Sequence, residues 1–132
     1  MSDDEAIAPR RVLVVEDEGA LAFLLEDMLL ELGHTVIAIV ARVEDALSLR
    51  RDEYDFAVLD VNLNGQHSYG LAEKLRAASV PFIFTTGYGT AGLAEEWRSW
   101  TVLSKPFLSH ELKAAIQAAL ANQGTSRSPI AS

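Results

Sequence analysis

The chain has no cysteine among its 132 residues. That removes disulfide scaffolds, thiolate zinc sites and cysteine nucleophiles together, and it suits a reducing compartment. Positive charge is also scarce: 11 Lys and Arg stand against 19 Asp and Glu, for a net charge of −8 and an isoelectric point near 4.7. Gripping phosphates needs a clustered basic face, so direct nucleic-acid binding is not expected. No apolar run approaches the ~18 residues of a membrane helix, and Asp3, Asp4 and Glu5 stand where a secretion signal needs positive charge. Three histidines, His34, His67 and His110, are scattered without ligand spacing and read as surface or capping residues. What remains is a cytoplasmic protein with no membrane role. Its 49% hydrophobic content and mean hydropathy of +0.13 are enough for one core.

Residues 1–9 read as an acidic disordered leader. Arg11-Val12-Leu13-Val14-Val15 is β-branched and apolar on both faces, the pattern of a buried strand. Glu16-Asp17-Glu18 follows, and Leu21, Leu24, Leu25, Met28 and Leu32 then recur at helical spacing until Gly33. The unit repeats. Thr35 to Val40 is extended, Val43 to Arg50 a short helix, and Asp55 to Leu59 a wholly apolar strand ending at Asp60. Val61 to Tyr69 reads as a Gly/Asn-rich loop, Leu71, Leu75 and Ala78 as a third helix, and Val80 to Thr85 as a fourth strand, with Pro81 at its first residues.

Gly87, Gly89 and Gly92 dilute the next segment, so a frayed or shortened fourth helix is expected up to Trp97. Trp97 and Trp100 read as plugs at the edge of the core. Trp100 to Leu103 is a fifth strand. Ser109 caps a last helix with Leu112, Ile116 and Leu120 on one face, and residues 122–132 turn to a polar, disordered tail. Strands alternating with helices predict an α/β fold: a doubly wound parallel five-stranded sheet, with its crevice beyond the carboxyl ends of the strands.

Those strand ends carry the chemistry. The first ends at Glu16-Asp17, the third at Asp60, the fourth at Thr85-Thr86 and the fifth at Ser104-Lys105-Pro106. Three converging carboxylates repel one another unless a cation intervenes. Magnesium fits best, because it takes oxygen ligands and uses one or two carboxylates plus a phosphate oxygen. Lys105 adds a compact positive charge and Thr86 a hydroxyl, both suited to the oxygens of a transferring phosphoryl group. Strand alternation favours Thr86 over Thr85.

This set, in this order, resembles the receiver domains of response regulators over residues 10–121. Val80 to Gly89, VPFIFTTGYG, resembles the alphaproteobacterial subgroup called FAT GUY receivers, with Thr85 where alanine is usual. The resemblance implies the flavodoxin-like (βα)5 fold with strand order 2-1-3-4-5. It implies Asp60 as phosphoacceptor, and magnesium held by Asp17, Asp60 and the backbone carbonyl of Asn62, with Glu16 acting through water. Lys105 and Thr86 become the phosphoryl-binding and switch residues, and the Lys105-Pro106 bond is expected to be cis. Val102 stands where receivers carry an aromatic switch, which leaves Tyr88 as a secondary switch, and Asn64 stands where proline is common.

The function implied is a stand-alone response regulator that takes a phosphoryl group from a sensor histidine kinase, or through a histidine phosphotransfer protein, and signals to a downstream partner. It would be no enzyme beyond its own phosphorylation and dephosphorylation. A phosphate sink or phosphorelay intermediate uses the same residues. The enzymatic alternative is a magnesium-dependent phosphohydrolase of the haloacid-dehalogenase type. That class places its aspartate nucleophile on the first strand, whereas Asp60-Val61-Asn62 follows the third. A pseudo-receiver keeping only the shape would have little use for the acid pair, Asp60 and Lys105.

Overall fold

The computed structural model describes residues 8–123. The leader up to residue 7 and the tail from residue 124 lie outside the described residues. Strand β1 (Arg11–Val15) and helix α1 (Gly19–Glu31) open the chain, followed by β2 (Thr35–Val40), α2 (Val43–Leu47) and β3 (Phe56–Asp60). A small hairpin, β4 (Asn62–Leu63) and β5 (Gln66–His67), precedes α3 (Tyr69–Ala77) and β6 (Phe82–Thr86). Strand β7 (Val102–Ser104) and α4 (Ser109–Gln123) complete it. Helix α4 thus carries on past the expected start of the tail at residue 122.

Five strands form one parallel sheet in the order β2-β1-β3-β6-β7: the doubly wound sheet that the alternation predicts, in the flavodoxin-like order that the resemblance implies. The continuous apolar runs explain its centre. β3 and β6 are buried at every residue and β1 at all but Arg11, because helices cover both faces. Alternate side chains divide into two cores. Leu13, Val15, Ala57, Leu59, Phe82 and Phe84 pack with α2 and α3 on one face. Val12, Val14, Phe56, Val58 and Ile83 pack with α1 and α4 on the other. Among the described residues, no helix is long and apolar enough to cross a membrane.

Four expectations need correction. The loop after Asp60 contains a hairpin: Asn64 at φ 55° and Gly65 at φ 89° form a two-residue turn of the type whose twist matches paired strands, with Asn62 opposite His67. The fourth crossover holds no α-helix, only the 3₁₀ turns Gly89–Gly92 and Glu95–Trp97. Gly89, at a positive φ of 60°, opens the first of them, and Trp97, only 1% exposed, fills the space beside the sheet. Leu24 faces outward at 48% exposure, while Ala22, Leu25, Met28 and Leu29 turn inward. His34 is not a surface residue but buried. Its backbone N–H donates to Leu29 O, and its Nδ1 accepts from Arg10 N–H at 3.0 Å, tying the end of α1 to the start of β1.

Candidate functional site

The parallel register delivers the strand ends to one edge of the sheet. Asp60 is the last residue of β3, only 5% exposed, and Glu16, immediately after β1, is 4% exposed. Glu16 is anchored by its own backbone, whose N–H donates to Val40 O, while its Oε2 accepts from Glu18 N–H at the entry to α1. Asp17 is exposed, and one carboxylate oxygen from each of Glu16, Asp17 and Asp60 lies within 4.8 Å of the others. Lys105 follows β7 and is pinned to β6 through its backbone N–H, which donates to Thr86 O at 2.8 Å. Its Nζ reaches back across the sheet to Asp60 Oδ2 at 3.0 Å and Glu16 Oε1 at 3.2 Å. The Lys105–Pro106 peptide is cis.

The electrostatics are those of a site with too much negative charge. Burial, and then the charge of Asp60, push the Glu16 carboxyl up to about 7, against the opposing pull of Lys105 and the Glu18 amide. Burial lowers the Lys105 ammonium, but the hydrogen bond and charge of Asp60, with Glu16 behind it, outweigh this and raise it. One ammonium faces three carboxylates. An oxygen-only donor set with surplus charge fits a hard divalent cation such as magnesium.

A cleft of about 570 Å³ opens over Asp60, lined by Asn62, His67, Thr86, Tyr88, Gly92 and Lys105 among others. Asn62 donates its N–H to Asp60 Oδ1 at 3.3 Å, and its own Oδ1 accepts from Gly65 N–H, so the hairpin turn holds Asn62 at the acceptor. Thr86 lines the cleft and Thr85 does not. Its Oγ1 accepts from Tyr88 N–H at 3.0 Å, while Tyr88 itself is 77% exposed. Glu16, Asp17, Asp60, Thr86 and Lys105, from four strand ends, therefore meet at one place. Sequence reasoning missed two others: His67, which the hairpin brings to the cleft, and Tyr69, which joins the site to the fourth crossover. The Asn64-Gly65 pair, a strong hairpin signal, would have revealed the first.

The family model for the response regulator receiver domain matches residues 12–117. The chain belongs to the response regulator receiver family. Among solved structures, this receiver resembles SdrG from Sphingomonas melonis Fr1 at a TM-score of 0.78 and 39% identity, covering 86% of this chain and 98% of SdrG. It also resembles the response regulator PhyR from Brucella abortus at a TM-score of 0.76 and 29% identity, over 88% of this chain and 49% of PhyR. Among curated proteins it is 36% identical over 117 residues to the probable transcriptional regulator ycf27 of Porphyra purpurea, covering 83% of this chain and 47% of that protein. The receiver spans about half the length of that relative. The transcriptional regulatory protein PdtaR of Mycobacterium tuberculosis is 27% identical over 124 residues, covering 90% of this chain and 60% of PdtaR.

Proposed function

We propose that this receiver accepts a phosphoryl group on Asp60 from the phosphohistidine of a sensor histidine kinase and signals by changing its binding to a partner. The observation that carries this is the placement of a buried carboxylate at the end of the central strand, 3.0 Å from the Lys105 ammonium, at the floor of an open cleft. A carboxylate oxygen of Asp60 attacks phosphorus. The P–O bond forms as the P–N bond to imidazole breaks, and the freed ring nitrogen keeps the electron pair and takes a proton. Lys105 then exchanges part of its contact with Asp60 for a phosphoryl oxygen, and Thr86 offers its hydroxyl to another. Return is by water attacking phosphorus, with the Asp60 carboxylate as leaving group.

Asp17, Asp60 and the Asn62 carbonyl are the residues that would hold magnesium, with Glu16 behind them. When bound, the ion neutralises charge between the carboxylates and the incoming phosphoryl oxygens. The same geometry supports self-modification rather than turnover of a separate substrate. The test is incubation with acetyl phosphate or phosphoramidate and magnesium. One label per chain is expected, lost in Asp60→Asn and in EDTA. Full labelling of Asp60→Asn, or multiple turnover of a small phosphate ester, overturns the reading.

A further inference from the structure

The residue at 102 is a half-buried valine, packed at the edge of the core with Trp100. An aromatic ring does link the cleft to the fourth crossover, but from the other side. Tyr69, the first residue of α3, stacks on His67 of the hairpin at 5.2 Å and on Trp97 at 6.3 Å, and meets the edge of Phe84 at 6.0 Å. Its hydroxyl accepts from Ala94 N–H at 2.7 Å and donates to Gly92 O at 3.5 Å. Gly92 in turn is pressed against the switch threonine: a methyl group built on it would stand 2.8 Å from Thr86 Oγ1 and 3.1 Å from Tyr88 Cβ.

From this chain of contacts we infer that Tyr69 is a positioning residue, whose hydroxyl holds the 92–94 turn against Thr86 and so keeps the Thr86 hydroxyl on the Tyr88 amide, away from Asp60. The inference rests on the phosphoacceptor reading of Asp60. Withdrawal of Thr86 toward a phosphoryl oxygen gives up the Tyr88 bond and the packing on Gly92. The turn is then free to leave the Tyr69 hydroxyl, and movement at Asp60 spreads to Ala94 and Trp97 through contacts already in place. The bistable element is the turn, and Tyr69 biases its resting arrangement. His67 and Trp97 keep the ring fixed, so the hydroxyl alone carries the bias.

The test compares the full chain with Tyr69→Phe, which keeps the ring and its stacking. Beryllofluoride with magnesium is titrated while the amide resonances of Gly87, Tyr88 and Ala94 are followed. In the unligated protein, Tyr69→Phe should expose the Ala94 amide to exchange. Beryllofluoride should bind Tyr69→Phe about three- to tenfold more tightly than wild type, the scale of one neutral hydrogen bond released from the resting side. A merely structural role would leave the affinity unchanged or lower it. Equal or weaker binding by Tyr69→Phe, or an Ala94 amide still protected by Tyr69 in the saturated wild type, overturns the inference and leaves the phosphoacceptor reading standing. Wild type that neither binds beryllofluoride nor takes label at Asp60 overturns both.

Discussion

Lys105 lies 3.0 Å from Asp60 across the sheet, although 45 residues separate them in sequence, and the same ammonium stands 3.2 Å from Glu16. It bonds to two of the three clustered carboxylates, so its loss has two consequences. The phosphoryl oxygens lose a preorganised positive partner, and Lys105→Met should slow label uptake from acetyl phosphate by about a hundredfold, as for removal of one transition-state donor. The Glu16 carboxyl, freed of a pull that lowers it, should rise further from its value of about 7, read by following its side-chain carbon resonance against pH. Uptake at the wild-type rate would remove Lys105 from the chemistry.

His34 makes the fold sensitive to mild acid. Burial, and then the charge of Arg10, lower its pKa, and its Nδ1 must stay unprotonated to accept from Arg10 N–H. Its folded value lies below the unfolded one near 6.5. The stabilisation is therefore present above that unfolded value and is lost as the pH falls through the lowered folded value. Urea denaturation at pH 7.5 and at successive steps toward pH 5 should show stability declining over this window. His34→Gln should flatten the decline, and an unchanged decline in that variant would show that another group causes it.

The parts of the fold legible in the sequence are those that one physical signal decides. β1, β3 and β6 are apolar on both faces because they are covered on both faces, and their ends could be read directly as Glu16, Asp60 and Thr86. Helix α1 was harder: Leu21, Phe23, Leu24, Leu25, Met28, Leu29 and Leu30 leave almost no polar face, so periodicity alone could not say that Leu24 and Leu30 point outward. The burial of His34 depends on how the end of α1 meets Arg10, a contact 24 residues long-range that no local pattern records. The fourth crossover combined three glycines with two tryptophans, and packing of Trp97 against Phe82, Phe84 and Trp100 replaced helix formation as the means of covering the sheet. Tyr69 had no sequence signal of its own. Its role exists only where α3 and the 92–94 turn meet.

Gly92 is required by contact rather than by backbone angle. A methyl group there would meet Thr86 Oγ1 at 2.8 Å, a distance that forces a shift. Gly92→Ala should therefore destabilise the protein by about 1–2 kcal/mol, the usual scale of overpacking. Thr86→Ala removes the atom in the way, so the double variant should be less destabilised than the two single effects added together. Thermal denaturation of the four proteins closes the cycle, and strict additivity would show that the two residues do not press on one another.

On the proposed reading, a histidine kinase has to reach the cleft over the start of helix α1. Helix α1 begins three residues after Glu16, and its first turns place Phe23 and Leu24 on the outer face at 65% and 48% exposure. With a rise of about 1.5 Å per residue, both lie within roughly 10 Å along the axis of the helix start, which follows directly on the acid pair. On the same reading, these exposed apolar side chains would dock the kinase, while a small phosphodonor would not need them. Phe23→Ser with Leu24→Ser should then reduce transfer from a cognate histidine kinase by about tenfold, roughly 1.4 kcal/mol. Labelling by acetyl phosphate should stay at the wild-type rate, and stability should change by less than about 0.5 kcal/mol per site, since neither side chain is in a core. A panel of kinases assayed by radiolabel transfer, with acetyl phosphate in parallel, separates the two routes. Equal loss in both would place the effect in the site itself, and no loss in either would move the kinase to another face.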